Sequence, residues 1–150
     1  MYNIGINVTE ISTTPLYGVG ALGMTSDGKI YKYLEYKEGT AAVDGVAGEV
    51  AYYYTLDGYK LGQVTSDLSD SVEIGAGVLQ EDMSDGEFGW FQIKGAATLS
   101  IALTAGADGD PLTPTGAADG TLDVSAAVTD NVCAIAGDIS DLEIICDFPF

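Results

Sequence analysis

The chain carries its clearest strand signal in Glu49-Val50-Ala51-Tyr52-Tyr53-Tyr54-Thr55, which leads through Leu56-Asp57-Gly58 into Tyr59-Lys60-Leu61-Gly62-Gln63-Val64-Thr65. Both flanking runs contain β-branched and aromatic residues, which favour strands. An Asp-Gly pair between two such runs supplies the positive φ angles of a tight turn and is a strong short-range signal of a hairpin. Residues 49–65 therefore predict a β-hairpin.

Strand signals of the same kind recur along the chain. They cover residues 16–24, 29–37, 72–80, 88–95, 97–103, 121–128, 132–136 and 142–147, with Gly95 at one junction and a turn-rich segment at 105–120. Residues 29–37 alternate with a period of two, as in a half-exposed strand. No competing helical pattern reaches about ten residues. The sequence predicts an all-β, single-domain β-sandwich or barrel-like (jelly-roll-type) fold over residues 16–150.

Residues 1–15 differ from the rest of the chain. The segment from Val8 to Pro15 is polar and β-leaning, and it ends at a proline that interrupts any strand ladder. Such a segment buries little surface by itself. We expect an extended N-terminal arm that lies on another subunit or adds a strand to a neighbour's sheet, with Val8 and Ile11 as partner-binding candidates.

The charged residues exclude several classes of function. The chain holds 23 Asp and Glu against five lysines, with no histidine and a formal net charge of −18. Without imidazole or guanidinium groups it lacks the usual general base and the usual anion clamp, and the lysines read as surface residues on strands. We therefore expect no enzyme and no catalytic residues. The charge also disfavours binding to nucleic acid or to an anionic membrane.

Two further observations bear on localisation and on metals. The N-terminus lacks the pattern of a signal peptide and no stretch is apolar enough to span a membrane, so the sequence predicts a soluble protein. Acidic residues gather at 81–87 and 108–110, which predicts solvated loops or, less favoured, a structural Ca²⁺ or Mg²⁺ site. We expect no metal ligands and no cofactor.

Two cysteines, Cys133 and Cys146, stand in apolar surroundings. They read as small buried hydrophobic residues, and a bridge between neighbouring strands is the alternative.

Consecutive aromatic residues raise the question of a partner. Tyr52, Tyr53 and Tyr54 follow one another on one strand, and Trp90 precedes Phe91 on another. Successive strand residues point to opposite faces, so these rings cannot all enter one core. Some must meet solvent, a loop or a partner, and all five are partner-binding candidates.

The order of short motifs resembles a known family. The motifs are Leu22-Gly23, Asp27-Gly28-Lys29-Ile30-Tyr31-Lys32-Tyr33, residues 88–95, residues 110–115 and residues 119–123. In this order they resemble the small capsid decoration (cement) proteins of tailed bacteriophages. The resemblance implies a β-sandwich-like homotrimer that binds the major capsid protein on the outer surface of the virion, between capsomers, after assembly in the host cytoplasm. Its role would be to stabilise the head against internal DNA pressure, without catalytic residues.

Two other functions stay open at this stage. One is a carbohydrate- or surface-binding β module, similar to a head-fibre or adhesin domain, with tyrosine and tryptophan rings stacked on sugars and a Ca²⁺ ion in an acidic loop. The other, which the sequence favours least, is an enzyme that uses two carboxylates.

Overall fold

The computed structural model describes residues 2–150, and its regular structure is almost entirely β. Residues 2–150 hold eleven strands, one short α-helical turn, α1 (Gly58–Leu61), and two 3-10 turns at Leu68–Asp70 and Ile139–Asp141. The strands are β1 (Tyr2–Ile4), β2 (Leu22–Met24), β3 (Ile30–Tyr36), β4 (Val50–Tyr54), β5 (Gln63–Thr65), β6 (Ser71–Leu79), β7 (Phe88–Thr98), β8 (Pro111–Thr113), β9 (Asp123–Val124), β10 (Ala134–Ala136) and β11 (Glu143–Asp147). The expected all-β fold is confirmed.

Five strands form a closed barrel. Their order is β3-β5-β4-β6-β7, and the antiparallel pairing of β7 with β3 closes the ring. The β3–β5 pair is parallel, whereas β5–β4, β4–β6 and β6–β7 are antiparallel. Closure leaves these five strands without a free edge inside the ring, which removes a site of unwanted strand pairing. The sequence left a sandwich and a barrel open, and the core is a barrel.

The barrel interior is filled with side chains. Alternate residues of the five strands meet there, and Met83 from the loop after β6 joins them; the buried members are Leu34, Tyr36, Ala51, Tyr53, Val64, Ala76, Leu79, Met83 and Phe91. Ala76 and Leu79 both belong to this cluster although they lie three residues apart, a spacing that places residues of a regular strand on opposite faces. The β4–β6 register shifts beside Gly77, and this shift brings both side chains inside. The barrel is therefore a packed core and not an open ligand cavity.

A second sheet packs against the outside of the barrel. Beyond Lys94, β7 leaves the ring and continues into a sheet of order β7-β11-β10-β8-β9. Its inner face meets the outward side chains of β4, β6 and β7 in the largest buried cluster, which includes Val50, Tyr52, Val78, Ile93, Leu112, Ile144 and Phe148. β4 is thus buried on both sides, with Tyr52 in this cluster and Tyr53 in the barrel.

The N-terminal segment folds onto its own barrel. β1 pairs in parallel with β2, and Ser12 forms an isolated bridge with Phe88. Ile6 and Val8 pack on the aromatic cluster of Tyr31, Tyr33 and Trp90, which lies on the outer face of β3 and β7. This corrects the expectation of an arm that orders on another subunit, because the apolar residues of the segment find their cover within the same chain.

Several strand expectations need correction. β4 and β5 do pair antiparallel, yet α1 and not a tight two-residue turn joins them. Residues 88–98 form one strand where two were predicted, and residues 99–103 lie outside any strand. Gly95, with a φ of 96°, lies inside β7 where its partner changes from β3 to β11. Strand β3 is buried on both faces and is not half-exposed, since the N-terminal segment covers its outer side.

The remaining differences concern length. β2, β9 and β10 are shorter than the runs that predicted them, and β8 lies inside the segment that read as turns. Strands β6 and β11 match their predicted runs closely.

Candidate functional site

Four of the seven partner-binding candidates are taken up by the core. Trp90 is 1% exposed, and Tyr52, Tyr53 and Phe91 are fully buried. The reason is that a second layer covers both strands from outside, so rings on either side of the strand meet protein. These four side chains offer no surface to a partner of the folded chain, which corrects the interface expectation for them.

The other three candidates are half-buried. Val8 packs against the cluster around Trp90, and Ile11 packs against the barrel cluster. Tyr54 lines a small apolar cleft together with Tyr59, Val72 and other residues. The structure does not bring the seven candidates together into one surface.

The buried tyrosines are held by specific hydrogen bonds. The Tyr52 hydroxyl lies within hydrogen-bond distance of the backbone oxygens of Ala118 and Thr121, to which its single hydrogen can be donated, and it accepts from the Thr121 backbone N–H at 3.0 Å. Burial raises the pKa of the Tyr52 hydroxyl well above its ordinary value. Tyr52 therefore ties the 118–121 loop to the barrel wall, which is a structural role.

Lys32 is the unexpected member of the barrel. It is 8% exposed, and its ammonium donates a hydrogen bond of 3.0 Å to the Tyr53 hydroxyl. The nitrogen also lies 5.4 Å from the ring centre of Tyr53 and 5.2 Å from that of Tyr59. Desolvation lowers the pKa of Lys32. The sequence interpretation of Lys32 as a surface residue is wrong, because the alternation of β3 directs it inward.

Several carboxylates of the acidic loops accept hydrogen bonds from backbone N–H groups. Asp110 accepts from the Ala107 N–H at 2.8 Å and Glu87 from the Ser84 N–H at 2.8 Å. Asp82 accepts from the Ala47 N–H at 2.9 Å. Within residues 2–150, no three acidic or cysteine side chains converge as a metal site would require. No helix in that same range has the length and apolarity to cross a membrane.

The two cysteines are free thiols, not a disulfide, and both are buried. Cys133 directly precedes β10, and Cys146 lies on β11 opposite Ala134 of β10. Burial raises the pKa of the Cys146 thiol to about 12 and raises that of Cys133 further. Such thiols behave as packing residues and not as nucleophiles.

An exposed apolar row crosses the outer face of the second sheet. The register places Ala96 opposite Ile145, Ile145 opposite Ile135 and Ile135 opposite Pro111. All four side chains are exposed, and Ile145 and Ile135 are 51% and 37% exposed. With strands about 4.8 Å apart, the row spans roughly 14 Å. We call this surface the apolar row.

Charged side chains border the apolar row. Glu143 and Asp147 flank Ile145 along β11, on the same side of the strand. Lys94, the neighbour of Asp147, contacts it at 2.5 Å and lies 4.7 Å from the ring centre of Phe150. The lysine is thus already engaged, and the border of the row is acidic.

A second exposed aromatic site lies near the mouth of the barrel. Tyr59 is 55% exposed and Phe150 is 51% exposed, and the Tyr59 hydroxyl donates to the Phe150 carbonyl at 3.1 Å. The Tyr59 ring packs edge-on against Tyr53 at 4.9 Å between centres. By contrast, an open cleft of about 590 Å³ beside Gly48 and Gln92 is lined by polar, small and aliphatic residues and carries no aromatic ring.

Sequence reasoning missed both exposed surfaces. The apolar row could have been sought in the Ile-Ile pair at positions 144 and 145, of which a strand can bury one at most on a single-faced core. Comparisons of the chain with protein-family models, with curated proteins and with solved structures found no match.

Proposed function

We propose that this chain is a capsid decoration protein of a tailed bacteriophage, which attaches to the outer surface of the head and stabilises it. The observation that carries the proposal is the apolar row, an uncovered hydrophobic strip on an otherwise strongly acidic protein. Exposed apolar patches with a polar border are typical of protein–protein interfaces. The motif resemblance described above gives the partner, the major capsid protein.

The rest of the molecule suits a structural role. The barrel interior is filled, so binding energy at its surface would not be spent on ordering a loose core. The net charge of −18 disfavours contact with packaged DNA and suits a surface that faces the medium. In this proposal three copies associate on the head, and each contributes one apolar row to a contact with a capsomer.

The experiment is a binding assay with heads of the phage that encodes the chain, stripped of decoration protein. Co-sedimentation and a higher temperature of DNA release are expected when the protein is added. Light scattering of the purified protein gives its mass, and a trimer of the 15.5 kDa chain supports the proposal. Absence of co-sedimentation at low and at moderate salt overturns it.

A second candidate function is carbohydrate binding. The observation that favours it is the pair of exposed aromatic residues Tyr59 and Phe150, which the hydrogen bond from the Tyr59 hydroxyl to the Phe150 backbone carbonyl links. Aromatic faces beside polar groups are suited to stacking on sugar rings. Calorimetric titration with a panel of oligosaccharides tests this function, and loss of binding in Tyr59→Ala is the expected signature.

A further inference from the structure

The apolar row differs from the three large apolar clusters of the described chain, each of which has a cover. The N-terminal segment covers the outer face of β3 and β7 around Trp90. The second sheet covers the outer face of β4 and β6, and the interior of the barrel is filled. Among residues 2–150, no segment covers the row formed by Ala96, Ile145, Ile135 and Pro111.

The border charges decide what kind of surface fits the row. Glu143 and Asp147 stand on either side of Ile145, and the Lys94 ammonium is paired with Asp147. A second copy laid on the row would bring the same carboxylates against these, at a cost of like-charge repulsion. Nucleic acid and anionic lipid are disfavoured on the same ground.

We infer that the apolar row binds a protein surface with an apolar centre and a border of lysine or arginine side chains. The centre would cover Ile145 and Ile135, and the cationic border would meet Glu143, while Asp147 stays paired with Lys94. The inference deepens the proposed function and rests on it for the identity of the partner, though not for the partner's chemistry. Electrostatic attraction makes the contact weaken with added salt.

The test uses a defined probe, a fluorescein-labelled peptide of alternating leucine and lysine, with fluorescence anisotropy as the readout. Ile145→Asp is expected to weaken binding about tenfold, since it removes a central apolar contact and adds a charge at the centre. Val128→Asp is the matched control, because it adds the same charge at a fully exposed residue outside the row. Its affinity should stay within about twofold of the parent protein.

A second variant tests the border. Glu143→Lys leaves the apolar centre intact, so a loss of peptide affinity there reports charge alone. Binding of the parent protein should fall between about 50 mM and about 500 mM salt. Equal effects of Ile145→Asp and Val128→Asp, or binding that ignores Glu143→Lys and salt, overturn the inference.

The same variants separate this inference from the proposed function. If Ile145→Asp still binds phage heads with the parent's affinity, the row is not the attachment surface, while the decoration role survives. If the row binds the peptide as described but the parent protein does not bind heads, the decoration role fails and the inference about the row stands.

Discussion

The ammonium nitrogen of Lys32 lies 3.0 Å from the hydroxyl oxygen of Tyr53, in the wall of a barrel that is otherwise filled with apolar side chains. The ion pairs among residues 2–150 involve Lys29, Lys37 and Lys94. The Lys32 ammonium forms no ion pair with a carboxylate of the described residues. In place of a carboxylate, the ammonium contacts the Tyr53 hydroxyl and the rings of Tyr53 and Tyr59. A buried charge held in this way depends strongly on each neutral partner.

Tyr53→Phe should therefore destabilise the barrel although the ring is kept. The substitution leaves the Lys32 ammonium buried with one hydrogen bond fewer, and bonds to charged groups contribute about 1.5–3 kcal/mol. We expect a loss of that size in the free energy of unfolding, measured in urea. Tyr2→Phe is the control, because Tyr2 is exposed and its change should have no measurable effect. Equal stability of the two variants would show that the Lys32–Tyr53 bond contributes nothing.

Removing the charge as well should recover stability. Lys32→Met in the Tyr53→Phe background replaces an unpaired buried ammonium with an apolar side chain. We expect a gain of about 1–4 kcal/mol, the range found when buried ion pairs are replaced by apolar residues. Desolvation lowers the pKa of Lys32 in the folded state, so the unfolded state holds the proton more tightly. The penalty is full at neutral pH and shrinks as pH rises toward the unfolded value of about 10.4.

The gain from Lys32→Met is accordingly larger at pH 7 than at pH 9.5, in paired urea titrations of the single and double variants. Comparison of the two proteins at each pH cancels the titration of other groups. A gain that stays constant, or grows, with rising pH contradicts a lowered pKa at Lys32.

The N-terminal segment should be part of the folding unit. Deletion of residues 2–14 removes the half-buried Ile6, Val8 and Ile11, and uncovers Tyr33 and Trp90. We expect a loss of about 3–5 kcal/mol from the exposed apolar area. Trp90 is the single tryptophan, so its emission reports the change directly and should shift to the red.

Ile4→Ser provides the control for the deletion, because Ile4 is 85% exposed at the sheet edge and contributes little buried area. Its emission and stability should match the parent protein. If the deletion also leaves both unchanged, the segment is not packed on Trp90 in solution, and the earlier expectation of an arm free to reach another subunit is restored.

The sequence predicts the β class and most strand positions because alternation and turn residues are local properties. The Asp57-Gly58 pair shows the limit of such signals. Asp57 does take a left-handed φ of 59°, as the hairpin signal requires, but the chain then continues into α1 before β5 begins. Local chemistry identifies the reversal of direction and does not fix how many residues it uses.

Burial is harder to predict because it depends on contacts between distant segments. Whether Lys32 faces solvent or a core follows from the β3–β7 pairing that closes the barrel, and that pairing joins residues about sixty positions apart. The same holds for the rings of Tyr52 and Trp90, which were expected at an interface. Their covers are the 118–121 loop and the N-terminal segment, neither of which is adjacent in sequence.

The two cysteines should be inert in the native protein. Burial raises the pKa of Cys146 to about 12, which lowers its thiolate fraction at neutral pH by far more than a hundredfold. Labelling by a water-soluble disulfide reagent should be at least about 100-fold slower than in denaturant. Mass spectrometry after timed labelling gives both rates, and labelling at similar speed in the two conditions contradicts the burial of both thiols.

The raised thiol pKa values also set a pH dependence. An unfolded thiol ionises near pH 8.5, whereas the folded thiols stay protonated, so their contribution to stability is complete below about pH 8.5 and is lost as pH rises above it. A Cys146→Ala variant should show a shallower loss of stability than the parent between about pH 8.5 and about pH 10. Parallel curves for the two proteins would contradict the shift.

Gly77→Ala should be among the most costly single-methyl additions in the barrel. Gly77 has a φ of 142°, and a Cβ there would lie 2.9 Å from the Cβ of Phe91 and 3.0 Å from the backbone oxygen of Gln92. Neither atom is the end of a flexible chain, so β6 itself must move. Backbone strain and overpacking each cost about 1–3 kcal/mol, and we expect a loss of about 2–4 kcal/mol in urea unfolding followed by Trp90 emission.

Gly109→Ala separates the two causes. Gly109 also has a positive φ, 87°, but no atom lies within 4 Å of its added Cβ. It should lose only the conformational cost, about 1 kcal/mol. A loss at Gly77 no larger than at Gly109 would mean that β6 can shift freely away from β7. The stability that Gly77→Ala loses beyond the loss in Gly109→Ala measures how firmly β6 is fixed where the register shift places both Ala76 and Leu79 inside the barrel.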